Sequence, residues 1–353
     1  MSASDPRKVV VLIVTYNARK YLDGLFGSLA RRQDGPHQVE ILVVDNASTD
    51  GTADAVAAAY PWVKLVRSAA NSGFAGGNNV GLRQALASGA DYVYLLNQDT
   101  EVEPGFLLEA LAVAGSADDV GSVQSLLLLH PDRDRINSTG NAIHFLGFGY
   151  CRDNGRRLAG TKLDQREIAY GSGAGLLLSA AALRRVGLFD ETLFLYHEDL
   201  DLGWRLRLAG FRNVLAPRSV IYHKYEFSRS VGKFYYMERN RYLVLWRNFR
   251  LWTMLVLLPW LFLSEFGLFA AAVRSGWWRE KLRVYAYFFR PAAWKHIRQG
   301  RREVAKFRKV GDREIVRLFT PVIAYQDVAG PFTRTVANPL MTVLWSVLRL
   351  LII

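Results

Sequence analysis

The first two thirds of the 353-residue chain read as an α/β domain on a mostly parallel sheet, and the last third as a basic, tryptophan-rich helical region. Three observations predict this. Short apolar runs rich in β-branched residues alternate with longer stretches of helical spacing, the pattern of strands joined by helices that cover both faces of a sheet. Polar residues collect where those runs end, at the carboxyl ends of strands, where open α/β sheets bind ligands. The charge also divides: residues 1–223 carry 22 basic and 24 acidic side chains, and residues 224–353 carry 23 and 8, so the net +13 comes wholly from the C-terminal part. With 50% hydrophobic and 22% charged residues the chain can bury a sizeable core, which excludes general disorder.

The elements follow in order. Residues 9–15 (VVVLIVT) are continuously apolar, as a strand buried on both faces is. Residues 18–31 place Leu22, Leu25, Phe26 and Leu29 at helical spacing. Residues 41–45 (ILVVD) make a second strand, and Asp50-Gly51 makes a turn before a helix over about 52–60. Residues 63–67 form a short third strand. Residues 71–79 (NSGFAGGNN) read as a Gly/Asn loop leading into a helix over 79–88, and residues 92–97 (YVYLLN) as a fourth strand. Farther on, residues 171–175 (GSGAG) form a flexible turn before Leu176-Leu177-Leu178. His197-Glu198-Asp199-Leu200-Asp201 then opens a helical run to Leu208, closed by Gly210. The domain boundary is placed at 225.

Residues 251–273 carry a single charge, Glu265, over a length sufficient to cross about 30 Å of hydrocarbon. Arg247 and Arg250 precede the run and Arg274, Arg279 and Lys281 follow it, so the flanking charge sets no orientation. A span, a re-entrant pair and a helix lying in the interface all fit. Residues 281–317 place apolar residues between basic ones, as an in-plane surface helix does, and residues 339–353 are a second apolar stretch. Seven of the nine tryptophans lie after residue 240. Basic charge with interfacial indoles points to an anionic membrane surface rather than to nucleic acid or a soluble core.

Several site classes are excluded. No Walker A motif occurs; the first strand leads into Tyr16-Asn17-Ala18-Arg19 rather than G-x-G-x-x-G; His197-Glu198 lacks the second histidine of a zincin; and no G-x-S-x-G elbow follows a strand. Cys151 is alone, so no intramolecular disulfide and no cysteine zinc site can form, as befits a reducing compartment. The first six residues hold no apolar stretch, and no signal peptide is expected.

What remains is carboxylates at strand ends. Asp45 could accept from the N3–H of a uracil or thymine ring; taken alone, its place in Asp45-Asn46-Ala47-Ser48-Thr49-Asp50-Gly51 is explained as simply by turn and cap formation. Asp99 ends Asn97-Gln98-Asp99 and reads either as a turn aspartate or as an oxygen ligand for Mg²⁺ or Mn²⁺, which bind through one or two carboxylates plus substrate phosphates. His223 reads either as a structural histidine or as a further ligand. Glu198, Asp199 and Asp201 suit the positive end of a helix, and clustered acids also raise one another's pKa, as a general base requires. The pair Asp201–Arg205 stands at i,i+4 spacing.

Together the segments 14–17 (VTYN), 43–52 (VVDNASTDGT), 71–81, 95–99 (LLNQD) and 197–201 (HEDLD) resemble the inverting family-2 glycosyltransferases over roughly residues 8–225, in particular the rhamnosyltransferase-like branch that builds bacterial cell-surface polysaccharides. The resemblance implies a GT-A fold, with a nucleotide-sugar half at about 1–100 and an acceptor half at about 101–225. It implies a dTDP- or UDP-sugar donor, dTDP-rhamnose first. Asp45 would bind the base, with Thr15 and Asn17 against the nucleotide and Asn71, Gly76, Asn79 and Asn97 lining the donor pocket. Asp99 stands at the last position of the family's D-x-D motif; its first position is Asn97 here, a departure that lowers the negative charge offered to the metal. His223 would be a second metal ligand, Asp199 the general base, and Glu198 and Asp201 its supporting acids. A lipid-linked or polysaccharide acceptor would be met at the cytoplasmic face of the membrane. Two other classes compete: a catalytically inactive membrane-bound scaffold that binds glycan, and a nucleotidyltransferase. The three aspartates argue against the first, and Thr15-Tyr16-Asn17 stands where the second usually carries a Gly-rich basic loop.

Overall fold

The structure, a computed structural model, describes residues 5–224, 232–324, 331 and 333–353. The first four residues of the N-terminal stretch and the boundary expected at 225 lie outside the described residues. The strands are β1 (Lys8–Thr15), β2 (Gln38–Asp45), β3 (Lys64–Arg67), β4 (Tyr92–Asn97), β5 (Thr100–Val102), β6 (Val120–Leu129), β7 (Ile136–Ser138), β8 (Asn141–His144), β9 (Gly149–Cys151), β10 (Arg166–Ile168), β11 (Gly175–Ser179), β12 (Arg212–His223) and β13 (Phe319–Thr320). The helices are α1 (Leu22–Leu29), α2 (Thr52–Ala59), α3 (Gly73–Ala87), α4 (Phe106–Ala114), α5 (Ala180–Val186), α6 (Glu198–Leu208), α7 (Lys233–Asn248), α8 (Leu251–Arg274), α9 (Trp278–Phe288), α10 (Pro291–Phe307), α11 (Asp312–Ile315) and α12 (Asn338–Leu351).

One ten-stranded sheet runs in the order β10-β12-β6-β11-β4-β1-β2-β3, with β5 on β12 and β7 on β6; β13, β8 and β9 form a small second sheet. The first four strands are parallel and in register, so Thr15 stands opposite Asp45 and Val14 opposite Asn97. Beyond β4 the sheet is mixed rather than mostly parallel, because β11 enters antiparallel between β4 and β6. Strand direction leaves no trace in a run such as Leu176-Leu177-Leu178, which is buried on both faces like its parallel neighbours.

Alternation along β1 builds the two cores. Val9, Val11 and Ile13 meet Leu22, Leu25 and Phe26 of α1 and Phe106 of α4 on one face. Val10 and Leu12 face Leu82 of α3 on the other, in a core that continues through α6 into Leu243 and Leu245 of α7, Leu257 of α8 and Ile297 of α10. The C-terminal helices are thus packed into the same core as the sheet.

Two expectations for that region change. Residues 281–317 are not one surface helix: Pro291 begins α10, where a missing N–H does no harm. The apolar residues of α10, Ala293, Ile297, Val304 and Phe307, are buried, not offered to a bilayer. The exposed apolar surface belongs to α8 (Leu255, Phe262, Leu263, Phe266) and α12 (Leu340, Val343, Val347, Leu350), joined where the Trp252 indole donates to Leu351 O at 2.8 Å. Among the described residues α8 alone is long and apolar enough to cross a membrane.

Candidate active site

The carboxyl ends of β1 and β2 form a compact polar cradle. The Thr15 hydroxyl donates to Asp45 Oδ1 at 3.0 Å and the Ser48 N–H donates to Oδ2 at 3.0 Å. Both groups hold a buried carboxylate in one orientation, and each carboxylate oxygen keeps a further lone pair for an incoming donor. Asn17 and Ala47 adopt left-handed backbone (φ 51° and 63°), and Asn17 Oδ1 accepts from the Thr49 N–H at 2.9 Å, locking the two strand-end loops together. Asparagine is among the few non-glycine residues that adopt this backbone readily.

The Gly/Asn segment is not a loop. Helix α3 begins at Gly73, six residues earlier than the expected start, and takes in Gly76 and Asn79. Tertiary packing overrides the poor helical propensity of its glycines: a Cβ at Gly77 would stand 2.8 Å from Val14 Cγ1, so glycine lets the helix lie directly on β1. Asn71 caps the start, its Oδ1 accepting from the Gly73 N–H at 2.8 Å. Asn46 ties that cap to β2 by donating to Asn71 Oδ1 and Gly73 O, both at 3.0 Å. Asn79 is turned away from the strand ends: its amide bonds Phe189 O, the Phe189 N–H and Glu191 Oε1 at 2.9–3.0 Å. It fastens the segment before α6 rather than presenting a free group.

Asp99 and His223 come together because β5 pairs with β12, which sets His223 opposite Thr100. Asp99 Oδ1 lies 3.3 Å from His223 Nε2, and His223 Nδ1 lies 2.9 Å from Asn137 Oδ1. An Nδ1–H donated to Asn137 leaves the Nε2 lone pair toward Asp99, the tautomer a metal ligand needs. A carboxylate oxygen and an imidazole nitrogen side by side fit a divalent cation whose other ligands are phosphate and water. The Asn97 N–H bonds Ala174 O at 3.2 Å, joining this corner to the 171–175 turn.

The first turn of α6 reaches the same 171–175 turn, whose Gly173 N–H bonds Asp199. Phe194, Tyr196 and His197 all have positive φ (62°, 67° and 69°), Phe194 at the centre of a tight turn closed by the Leu195 N–H on Leu193 O at 2.7 Å, a strained lead-in to the helix. Asn240 of α7 clamps it, its amide donating to Leu193 O, Leu195 O and Tyr196 O at 2.7–3.0 Å. Nothing in a basic, aromatic helix marks Asn240 out; only the fold reveals it. The Ala75 N–H bonds Phe194 O at 3.2 Å, and a Cβ on Gly173 would stand 2.6 Å from Phe74, so α3, the 171–175 turn and α6 converge.

Within this convergence Asp199 is half-buried. Desolvation pushes its pKa up to about 6, against the pull of N–H donors from Leu200 (2.7 Å) and Gly173. Glu198 is buried with Oε2 unpartnered; desolvation, and then the Asp199 charge, raises its pKa well above the usual carboxylate range. Asp201 is separated from both. It is fully buried, accepting from Arg205 Nε at 2.7 Å and Asn248 Nδ2 at 2.9 Å, so it joins α6 to α7 and does not support Asp199.

A mixed sheet whose parallel half runs in the order β3-β2-β1-β4, with polar residues at its strand ends, is consistent with the GT-A glycosyltransferase fold. Solved members share the fold: the mannosyltransferase PcManGT from Pyrobaculum calidifontis, in complex with GDP-Man and Mn²⁺, matches with a TM-score of 0.51 at 18% identity, over 86% of this chain and 87% of its own. GalNAc-T7 with UDP, GalNAc and Mn²⁺ matches with a TM-score of 0.53 at 15% identity, over 68% of this chain and 48% of its own. The chain belongs to glycosyl transferase family 2, whose family model matches residues 10–187. Among curated relatives, an N-acetylglucosaminyl-diphospho-decaprenol L-rhamnosyltransferase of Mycobacterium tuberculosis is 29% identical over 291 residues, 77% of this chain and 87% of that protein.

Proposed function

We propose that the protein is an inverting glycosyltransferase that moves a hexose, first L-rhamnose from dTDP-rhamnose, to a hydroxyl of a lipid-linked acceptor in cell-surface glycan synthesis. What carries the reading is that Asp199 and the strand end that leads to the Asp99–His223 pair both bond the 171–175 turn, Asp199 through Gly173 and Asn97 through Ala174. The M. tuberculosis relative supports the sugar and the lipid-linked acceptor.

Asp45 accepts from the pyrimidine N3–H while Thr15 and Ser48 hold its carboxylate still. Asn17 keeps the loops beside the nucleotide in place. Asp199, ionised at pH 7, takes the proton of the acceptor hydroxyl, whose oxygen attacks the anomeric carbon opposite the leaving nucleoside diphosphate; general-base help of this kind is worth about 10²–10⁴-fold. Asp99 and His223 would hold Mg²⁺ or Mn²⁺, which supplies charge neutralisation to the diphosphate when bound.

On this reading the acceptor is met at the cytoplasmic face of the membrane, with α8 and α12 lying in the interface. Glu265, midway along α8, is bonded by Arg241, Tyr242, Lys281 and Tyr285. A spanning α8 would draw those charges of α7 and α9 into hydrocarbon, which is strongly disfavoured. A helix lying flat keeps them on the protein side and offers Leu255, Phe262 and Leu263 to lipid.

The reading is tested by calorimetric binding of dTDP, UDP, GDP and ADP to detergent-solubilised protein with Mg²⁺, Mn²⁺ or EDTA. The expected result is metal-dependent binding of dTDP or UDP alone, with the metal dependence abolished by Asp99→Ala. Binding of purine nucleotides only, or of none, overturns it.

A further inference from the structure

We propose that the groove enclosed by α7, α8, α9 and α10 binds the hydrocarbon chain of the lipid acceptor; this rests on the lipid-linked acceptor read above. The groove has a volume of about 770 Å³, and Trp246, Phe262, Phe266, Phe269, Phe288 and Trp294 form much of its wall. That is within the range of cavities that enclose a small-molecule ligand, about 300–1,000 Å³. Most of its few polar groups are engaged with one another. Glu265 is bonded by four side chains, and the Trp294 indole donates to Phe288 O at 2.8 Å. A polar ligand finds few open partners there, and an apolar cavity of this kind favours hydrocarbon over water.

Position selects the occupant. At the mouth, Phe262 and Phe266 are 66% and 62% exposed and continue the apolar face of α8 that carries Leu255 and Leu263, so a chain can pass from a leaflet into the groove without crossing water. At the inner end, Tyr242 and Glu265 both bond Arg241, which donates to Leu146 O at 3.1 Å. The next carbonyl, Gly147 O, lies 3.2 Å from His197 Nε2, two residues before Asp199. The wall of the groove is thus bonded, through Arg241 and the 146–147 backbone, to the turn that precedes Asp199, which sets a tail held there on the side of the helical region that faces the candidate base. An acyl chain of bulk phospholipid would have no reason to be held beside the chemistry, and a second copy of the chain would have to displace lipid from the mouth.

The experiment uses full-length protein in phosphatidylglycerol nanodiscs with a trace of undecaprenyl phosphate bearing a diazirine in its hydrocarbon chain. Irradiation and peptide mapping should place the label on 262–269 and 285–289, and excess unlabelled undecaprenyl phosphate should remove it. Phe266→Arg with Phe269→Arg should lower labelling at least about tenfold, since a guanidinium in a hydrocarbon site is disfavoured, while metal-dependent nucleotide binding stays unchanged. Label spread over the outer faces of α8 and α12, or competed equally by extra phosphatidylglycerol, overturns the proposal, as does cross-linking between two copies through the groove. Loss of nucleotide binding with the groove label intact faults the donor reading and supports the groove.

Discussion

Asp199 and Asp201 lie two residues apart at the start of α6, and their surroundings are opposite. Asp199 enters the helix through a strained lead-in, holds two backbone N–H groups and, among the described residues, pairs with no cation, so burial drives its pKa up to about 6. Asp201 points to the other side of the helix, where Arg205 and Asn248 take one oxygen each. A helix turns about 100° per residue, so positions i and i+2 face nearly opposite ways. The contrast teaches that an acidic cluster in sequence is not a functional unit: the side with a guanidinium makes structure, and the side without one is left with a titratable group near pH 7.

The contrast breaks most visibly at Asp201. Asp201→Asn leaves the Arg205 charge fully buried with a neutral partner, and removing one member of such a pair costs about 3–5 kcal/mol. Thermal unfolding should show that loss, while the protein that stays folded keeps its pH–rate profile. An unchanged melting temperature would remove Asp201 from the structural side.

Asp199→Asn sharpens the same contrast from the chemical side. Turnover should fall at least about 10²-fold, equivalent to about 2.7 kcal/mol, with nucleotide affinity retained. In the wild type the base works ionised, so the rate should rise with pH and level off above about 6, falling roughly tenfold per unit below it. Stability runs the other way. The folded-state pKa lies above that of the unfolded chain, so Asp199 favours the fold in acid and loses that contribution as pH rises through about 6. At pH 8 the Asn variant should therefore melt no lower than wild type. Near-wild-type turnover in Asp199→Asn would sink its assignment.

Much of the fold is legible in the sequence where one physical signal decides. The run 92–97 is observed as Tyr92–Asn97, and the helix opened by the acidic cluster ends at Leu208 with Gly210 left-handed behind it. Legibility fails where two segments decide together. The direction of β11 depends on its neighbours, and the early start of α3 depends on Val14 being close enough to require glycine. At the candidate site, composition marks the polar strand ends but cannot separate a group that faces the mouth from one that closes on a neighbour. Asn79 carries the same side chain as Asn17, yet it is consumed by Phe189 and Glu191. The nearness of Asp99 and His223 rests on the pairing of β5 with β12, which no local pattern announces. The basic C-terminal stretch looks amphipathic whether its apolar side meets lipid or protein; α10 meets protein, and α8 divides between the two.

The smallest effect is expected at Asn240, and it asks how much the first turn of α6 owes to its support. Backbone with positive φ at Phe194, Tyr196 and His197 stores strain of about 1–3 kcal/mol per residue, and such strain persists only when the surroundings enforce it. The two protons of the Asn240 amide are shared among three carbonyl oxygens of that turn, while the neighbouring Arg239 guanidinium bonds two, Thr192 O and Leu193 O. Asn240→Ala removes the first set and the Oδ1 that anchors the Arg239 guanidinium, but leaves the Arg239 bonds to Thr192 O and Leu193 O, so the turn loosens without being released. A net loss of about 1–2 kcal/mol in stability follows from hydrogen bonds of ordinary strength. Because Asn240 touches neither Asp99 nor Asp45, nucleotide binding should be unchanged, and the fall in rate should appear in kcat at saturating donor and acceptor. The low-pH limb should also move below 6, since a looser turn admits water to Asp199 and relieves the desolvation that raises its pKa. If kcat falls with the limb still at about 6, the turn positions Asp199 without setting its pKa, and burial by Phe74 and the 171–175 turn must account for the shift alone.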